Sequence, residues 1–139
     1  MNMTDNIKYP TMEKIIEYNL LVLTIIKVKK ADQPKVLSNH AIDLAIEECR
    51  RAEGDIYDKA VYLLKGIIQK HPFASGNRRT AFIVTKDFIL SNSFAFRVKD
   101  DPTHARVMQG IREGYYTHEE IREWLKNGKI REFERQEKI

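Results

Sequence analysis

Apolar side chains recur every three or four residues along most of this chain, and only four prolines and six glycines interrupt them in 139 residues. That spacing gathers apolar groups on one side of a helix, and so few breakers leave room for long helices. The expectation is an all-α bundle of about six helices around a buried central one. Met12, Ile15, Ile16, Leu20, Leu23 and Ile26 make the first stripe, with Thr11 as N-cap and Asp32-Gln33-Pro34 as its end. Ile42, Ala45, Ile46 and Cys49 make a second, which Ser38 or Asn39 can cap and Gly54 closes. Asp55 caps a third stripe, Ile56, Ala60, Leu63, Leu64, Ile67 and Ile68, which stops near His71-Pro72 because proline disfavours helix geometry in the residue before it.

Residues 77–91 are apolar around most of the circumference, through Ala81, Phe82, Ile83, Val84, Phe88, Ile89 and Leu90, so this helix is expected at the centre of the fold. Asn92 and Ser93 break it, and Phe94, Ala95, Phe96 and Val98 read as a brief extended segment. Asp101-Pro102 starts a fifth helix with the stripe Ala105, Met108, Ile111 and Tyr115. Thr117 and Glu120 fit a capping box for a sixth, which buries Ile121, Trp124 and Leu125 and stops at Asn127-Gly128. The last eleven residues alternate in charge and read as a solvated helical tail. The whole is expected to be one domain over residues 1–139, with residues 1–10 and 129–139 peripheral.

Composition narrows the function classes. Hydrophobic residues make up 42% of the chain, enough for a core and too many for a disordered chain. One cysteine, Cys49, excludes a disulfide scaffold and a cysteine-ligated zinc site, and its place on an apolar face marks it as buried and inert. No apolar run is long enough to span a membrane, and residues 1–10 lack the basic-then-apolar pattern of a signal peptide, so a cytoplasmic protein is expected. The net charge of +4 is unevenly placed. Residues 65–99 carry seven basic side chains against one acidic, whereas the flanking blocks each sum to −1. A one-sign block of this kind points to an anionic ligand.

The basic block contains His71-Pro72-Phe73-Ala74-Ser75-Gly76-Asn77-Arg78-Arg79, a turn that leads into the apolar fourth helix. A helix N-terminus offers unpaired N–H groups and partial positive charge, and a glycine there lets the backbone approach a phosphate. Arg78 and Arg79 add two guanidinium forks in the first turn, where cations oppose the helix dipole. An anion would explain them. His71, across the turn, is of the side-chain type that exchanges protons near neutral pH.

This segment resembles the signature of the Fic/Doc family, H-P-F-x-(D/E)-G-N-(G/K)-R followed by a buried helix, through His71, Pro72, Phe73, Gly76, Asn77 and Arg79. Thr80-Ala81, the run to Phe88 through Asn92, the preceding residues 60–70 and the closing residues 119–125 are similar to the Doc branch, so the resemblance covers about residues 38–126. It implies that His71 is a general base for a hydroxyl of a target protein. It also implies that Pro72 and Phe73 fix the loop, and that Ser75, Gly76, Asn77, Arg78 and Arg79 hold the phosphates of ATP, Arg79 with a catalytic part. Most Fic proteins transfer AMP, whereas Doc-type toxins transfer the terminal phosphate to a translation elongation factor. Two departures lean towards Doc: Arg78 stands where AMP transferases have Gly and Doc has Lys, and Phe82 replaces their second arginine. A third cuts against activity, because Ser75 stands where the family has its Mg2+-binding acid; its hydroxyl can ligate Mg2+, which leaves the metal open as a cofactor, but supplies no charge to hold it. A catalytically impaired nucleotide- or anion-binding module is therefore the alternative.

The family's Ser/Thr-x-x-x-Glu-Gly/Asn inhibitory motif is absent, the nearest match having Cys49 in place of the hydroxyl. The resemblance thus implies a separate antitoxin chain. Small helical RNases pair an arginine with a histidine four to six residues on. Arg97 with His104 and Arg112 with His118 are near that spacing, but both pairs straddle expected helix breaks and read as chance, so nucleic acid is not an expected partner. His40, His104 and His118 receive no role.

Overall fold

A computed structural model describes residues 6–25 and 34–134. Six α-helices follow one another: α1 Met12–Ile25, α2 Asn39–Arg51, α3 Ile56–Lys70, α4 Asn77–Ser91, α5 Thr103–Arg112 and α6 His118–Asn127. No strand occurs among the described residues, only an isolated antiparallel bridge between Val36 and Phe73. The fold is all-α. No helix among the described residues is long and apolar enough to cross a membrane.

The boundaries follow local chemistry. Thr11 Oγ1 accepts from Lys14 N at 3.2 Å, and Ser38 Oγ accepts from Ala41 N at 3.1 Å. Reciprocal capping boxes start α3, through Asp55 and Asp58, and α6, through Thr117 and Glu120. Each satisfies donors that a helix start leaves unpaired. The second helix stops at Arg51, short of Gly54, where Lys59 intervenes. Lys59 is 3% exposed, and its Nζ donates to the carbonyls of Arg50 and Ala52 at 3.0 and 2.8 Å, closing α2 with a buried ammonium.

The central helix is α3, not α4. It packs against α2, α4, α5 and α6, and ten of its fifteen residues are buried. Gly66 lets α2 come close, since a Cβ there would lie 2.9 Å from that of Ala45. By contrast Leu90 on α4 is exposed and Ile83 half-buried. The apolar stripe of α1 is also displaced: Ile15, Asn19 and Val22 face inward while Leu20 is 45% exposed, because Asn19 is drawn to the α3–α4 turn. Ile26 and Asp32-Gln33 lie outside the described residues.

Three more differences have tertiary causes. Residues 94–98 form no strand; Phe96 and Val98 lie half-buried against the core and Phe94 is exposed. On α5 the buried side is Val107, Met108 and Ile111, with Ala105 exposed and Tyr115 past the helix end. Residues 129–134 are not a solvated helix, since Phe133 is 4% exposed and packs on Tyr115 and the close-packed Gly110. Residues 135–139 lie outside the described ones. At the other end Tyr9 stacks on Phe88, and Asn92 exchanges two hydrogen bonds with the backbone of Lys8.

Candidate active-site cleft

The α3–α4 turn is built from both sides. His71 ends α3 in the left-handed conformation at φ 52°, an uncommon but tolerated state for histidine, and swings the chain sharply outward. The next residues are extended and pair with residues 35–38. Leu37 N and Ser38 N donate to Pro72 O at 2.7 and 3.2 Å, and Ala74 N donates to Lys35 O at 2.9 Å. In this pattern Phe73 is the non-hydrogen-bonded partner of Val36, so its own N–H and C=O point the other way.

Asn77 meets both. Its Oδ1 accepts from Phe73 N at 2.9 Å and its Nδ2 donates to Phe73 O at 2.8 Å, so one side chain supplies what a second strand would. Phe73 is fully buried beneath. The two bonds also fix which way the amide faces, and its remaining N–H points at His71 Nδ1, 3.2 Å away. A donor at Nδ1 favours the neutral imidazole that carries its proton on Nε2. Asn77, assigned to phosphate by resemblance, thus has its side chain committed to the loop, leaving its backbone N–H at the start of α4.

From α1, Asn19 clamps the turn. Its Nδ2 donates to Ser75 O at 2.9 Å and to Thr80 Oγ1 at 3.1 Å, and it is 2% exposed. Sequence reasoning passed over it, although a polar residue on the face between Ile15 and Val22 is the signal that could have found it. Gly76 sits at φ 78° as the residue before α4, and a Cβ there would meet Asn19 Nδ2 and Leu23 Cδ2, each at 3.2 Å. Both conformation and space require glycine.

His71, Ser75, Gly76, Arg78 and Arg79 line one wall of a cleft of about 1010 Å³ whose opposite wall is α5. Arg78 and Arg79 are exposed and have neither hydrogen bond nor ion pair among the described residues. Three others of the basic block are engaged elsewhere: Lys70 pairs with Glu48, Lys86 lies over Phe96, and Arg97 donates to Lys126 O. From α5 come Arg106 and Arg112, outside that block, and His104, to which sequence reasoning gave no role. Phe82 is nearly buried behind His104.

The residues present suit phosphate better than a divalent metal. The turn carries no carboxylate. The acids lining the cleft, Asp100 and Asp101, belong to the far wall; Asp100 faces His104 at 3.3 Å, and Asp101 accepts from Thr103, whose hydrogen bonds hold its carboxyl below the usual range. One group with metal-ligand chemistry among the described residues is Asp58, His118 and Glu119, at the other end of α3. There Asp58 Oδ1 already receives Arg122 Nε at 3.1 Å and His118 Nε2 at 3.0 Å, which makes the cluster an ion-pair network. Cys49 is fully buried, and burial pushes its thiol up to about 12, so it is inert as a nucleophile.

Residues 29–89 match the family model described as the Fic/DOC family, a span that holds the whole turn and most of α2 through α4. That segment of the chain is of the Fic/DOC type. No curated protein is a significant match to the chain. The matched segment includes the turn from His71 to Arg79 that forms one wall of the cleft.

Proposed function

We propose that this Fic-type module is a Doc-like toxin that transfers the terminal phosphoryl group of ATP to a hydroxyl of a target protein, such as a translation elongation factor. The observation that carries the reading is the meeting of His71, the α4 N-terminus and two unpaired arginines in one cleft. Phosphate oxygens would lie on the first N–H groups of α4 and on the forks of Arg78 and Arg79. The target hydroxyl attacks the terminal phosphorus, an O–P bond forms, the bond to ADP breaks, and the hydroxyl proton passes to His71. Proton acceptance at Nε2 requires the other imidazole tautomer, hence release of the 3.2 Å contact with Asn77. A hydrogen bond of that kind is worth only about 1 kcal/mol net, within reach of substrate binding. Phe82 favours phosphoryl over AMP transfer, because an aromatic ring supplies no guanidinium at that position.

Mg2+ finds no carboxylate in the turn, so charge neutralisation falls to Arg78 and Arg79. A separate antitoxin chain and a cytoplasmic setting complete this reading. The second reading is a binding module that holds nucleotide or phosphate without turnover. Two observations favour it: Ser75 in place of the acid, and an imidazole whose resting tautomer presents a donor at Nε2 to an anion.

Incubating the protein and cell extract with ATP labelled separately at the α and γ phosphates, followed by mass spectrometry, tests the choice. Transfer of the γ label, lost in His71→Ala with the fold intact, is expected; a positioned base accounts for about 10²–10⁴ in rate. Transfer of the α label refutes the phosphoryl reading, and nucleotide binding without any transfer establishes the module.

A further inference from the structure

On the far wall of the cleft His104 stacks on Phe82, with ring centroids 4.5 Å apart and planes 19° from parallel. Phe82 is in turn set edge-on to Phe96 and tilted against Trp124, so the stack rests on the aromatic core. Neither nitrogen of His104 makes a hydrogen bond among the described residues. Its Nε2 faces Asp100 Oδ1 at 3.3 Å, and its Nδ1 is buried without a partner. Yet the side chain is 23% exposed and lines the same cleft as Arg78 and Arg79. What His104 offers the cleft is ring surface, held flat by Phe82.

We propose that His104, backed by Phe82, is the platform on which the base of a bound nucleotide stacks while its phosphates reach Arg78 and Arg79. The proposal rests on the nucleotide reading above and adds to it the residue that distinguishes a nucleotide from bare polyphosphate. A flat aromatic face accepts any base, because every base has a π face. Selectivity among bases is accordingly expected to be weak, and larger for nucleotide over polyphosphate.

The test compares ATP and inorganic tripolyphosphate, by calorimetry, on wild type, His104→Ala and His104→Phe, each first shown by thermal unfolding to be folded. Stacking of one base on an aromatic side chain corresponds to about tenfold or more in affinity. Wild type should bind ATP more tightly than tripolyphosphate, and His104→Ala should lose that preference while keeping its tripolyphosphate affinity. His104→Phe, which retains a flat ring without the nitrogens, should restore it. The proposal is overturned if His104→Ala weakens both ligands equally, which marks a structural role, or if it leaves ATP affinity unchanged. Tight tripolyphosphate binding with no added affinity for ATP in wild type refutes the platform but leaves the phosphate site standing. Failure of wild type to bind either ligand overturns the nucleotide reading itself.

Discussion

Replacing Asn77 by alanine should cost this protein far more than a loop substitution ordinarily does. The N–H and C=O of Phe73 are both buried against the Asn77 amide, at 2.9 and 2.8 Å, and the bridge to Val36 leaves them no other partner. A buried backbone group left unpaired costs about 1–3 kcal/mol, so losing both at once predicts a loss of about 2–6 kcal/mol. Stabilities of small domains lie in the range of about 5–15 kcal/mol, which makes that a large fraction of the total. Urea unfolding at neutral pH measures it, with an unchanged m-value as the sign that the difference is one of stability. The same substitution removes the donor facing His71 Nδ1. The 15N shifts of that ring should move from the Nε2–H form in wild type towards a mixture of tautomers. A loss below about 1 kcal/mol would mean that water replaces the amide and would refute the loop argument. Unchanged 15N shifts would refute the tautomer argument separately.

Other outcomes follow from single contacts. Arg79→Ala should weaken ATP binding by roughly 1.5–3 kcal/mol, the range for a hydrogen bond to a charged group, and Arg79→Lys should recover only part of it; equal affinities by calorimetry would remove Arg79 from the phosphate site. Wild type should bind ATP with little dependence on Mg2+, whereas Ser75→Asp, which supplies a carboxylate, should make binding metal-dependent and raise any transfer rate; strict Mg2+ dependence in wild type would show that another group holds the metal. The hydrogen bonds from Arg131 and from Thr117 N hold the Glu120 carboxyl down to about 2, against an ordinary value of 4.5. A depressed carboxyl stabilises the fold above its unfolded value and ceases to do so as pH falls through the folded one. Thermal unfolding should therefore show stability falling between about pH 4.5 and 2, with a shallower fall in Glu120→Gln; identical slopes would refute the link.

The helices and their ends were legible in the sequence because their causes are local. A capping oxygen acts three residues away, proline restricts its immediate neighbour, and an apolar stripe repeats within a few turns. Thr11, Asp55, Thr117 and His71-Pro72 each mark a boundary by such means, and the turn from His71 to Arg79 is a contiguous string whose chemistry can be read in order. Which apolar helix lies at the centre could not be read this way. The apolar count of α4 exceeds what it buries, while α3 is covered on several sides by helices that only the folded chain brings to it. The face of α1 was likewise decided by a partner 56 residues away, since Asn19 turns inward to hold Ser75 and Thr80.

The site divides along the same line. Gly76, Arg78 and Arg79 stand next to one another in the chain, so their common purpose shows in the sequence. His104, Arg106 and Arg112 belong to a helix that begins 24 residues beyond Arg79, and nothing in their own neighbourhood marks them as facing the turn. Nor does the name of a residue tell what its side chain does: Asn77 fits a phosphate site as a letter in a motif, but its amide is held by Phe73 and His71. Hydrogen bonds and ring stacks between residues distant in sequence depend on distance and angle in the folded chain, and only the tertiary structure sets these.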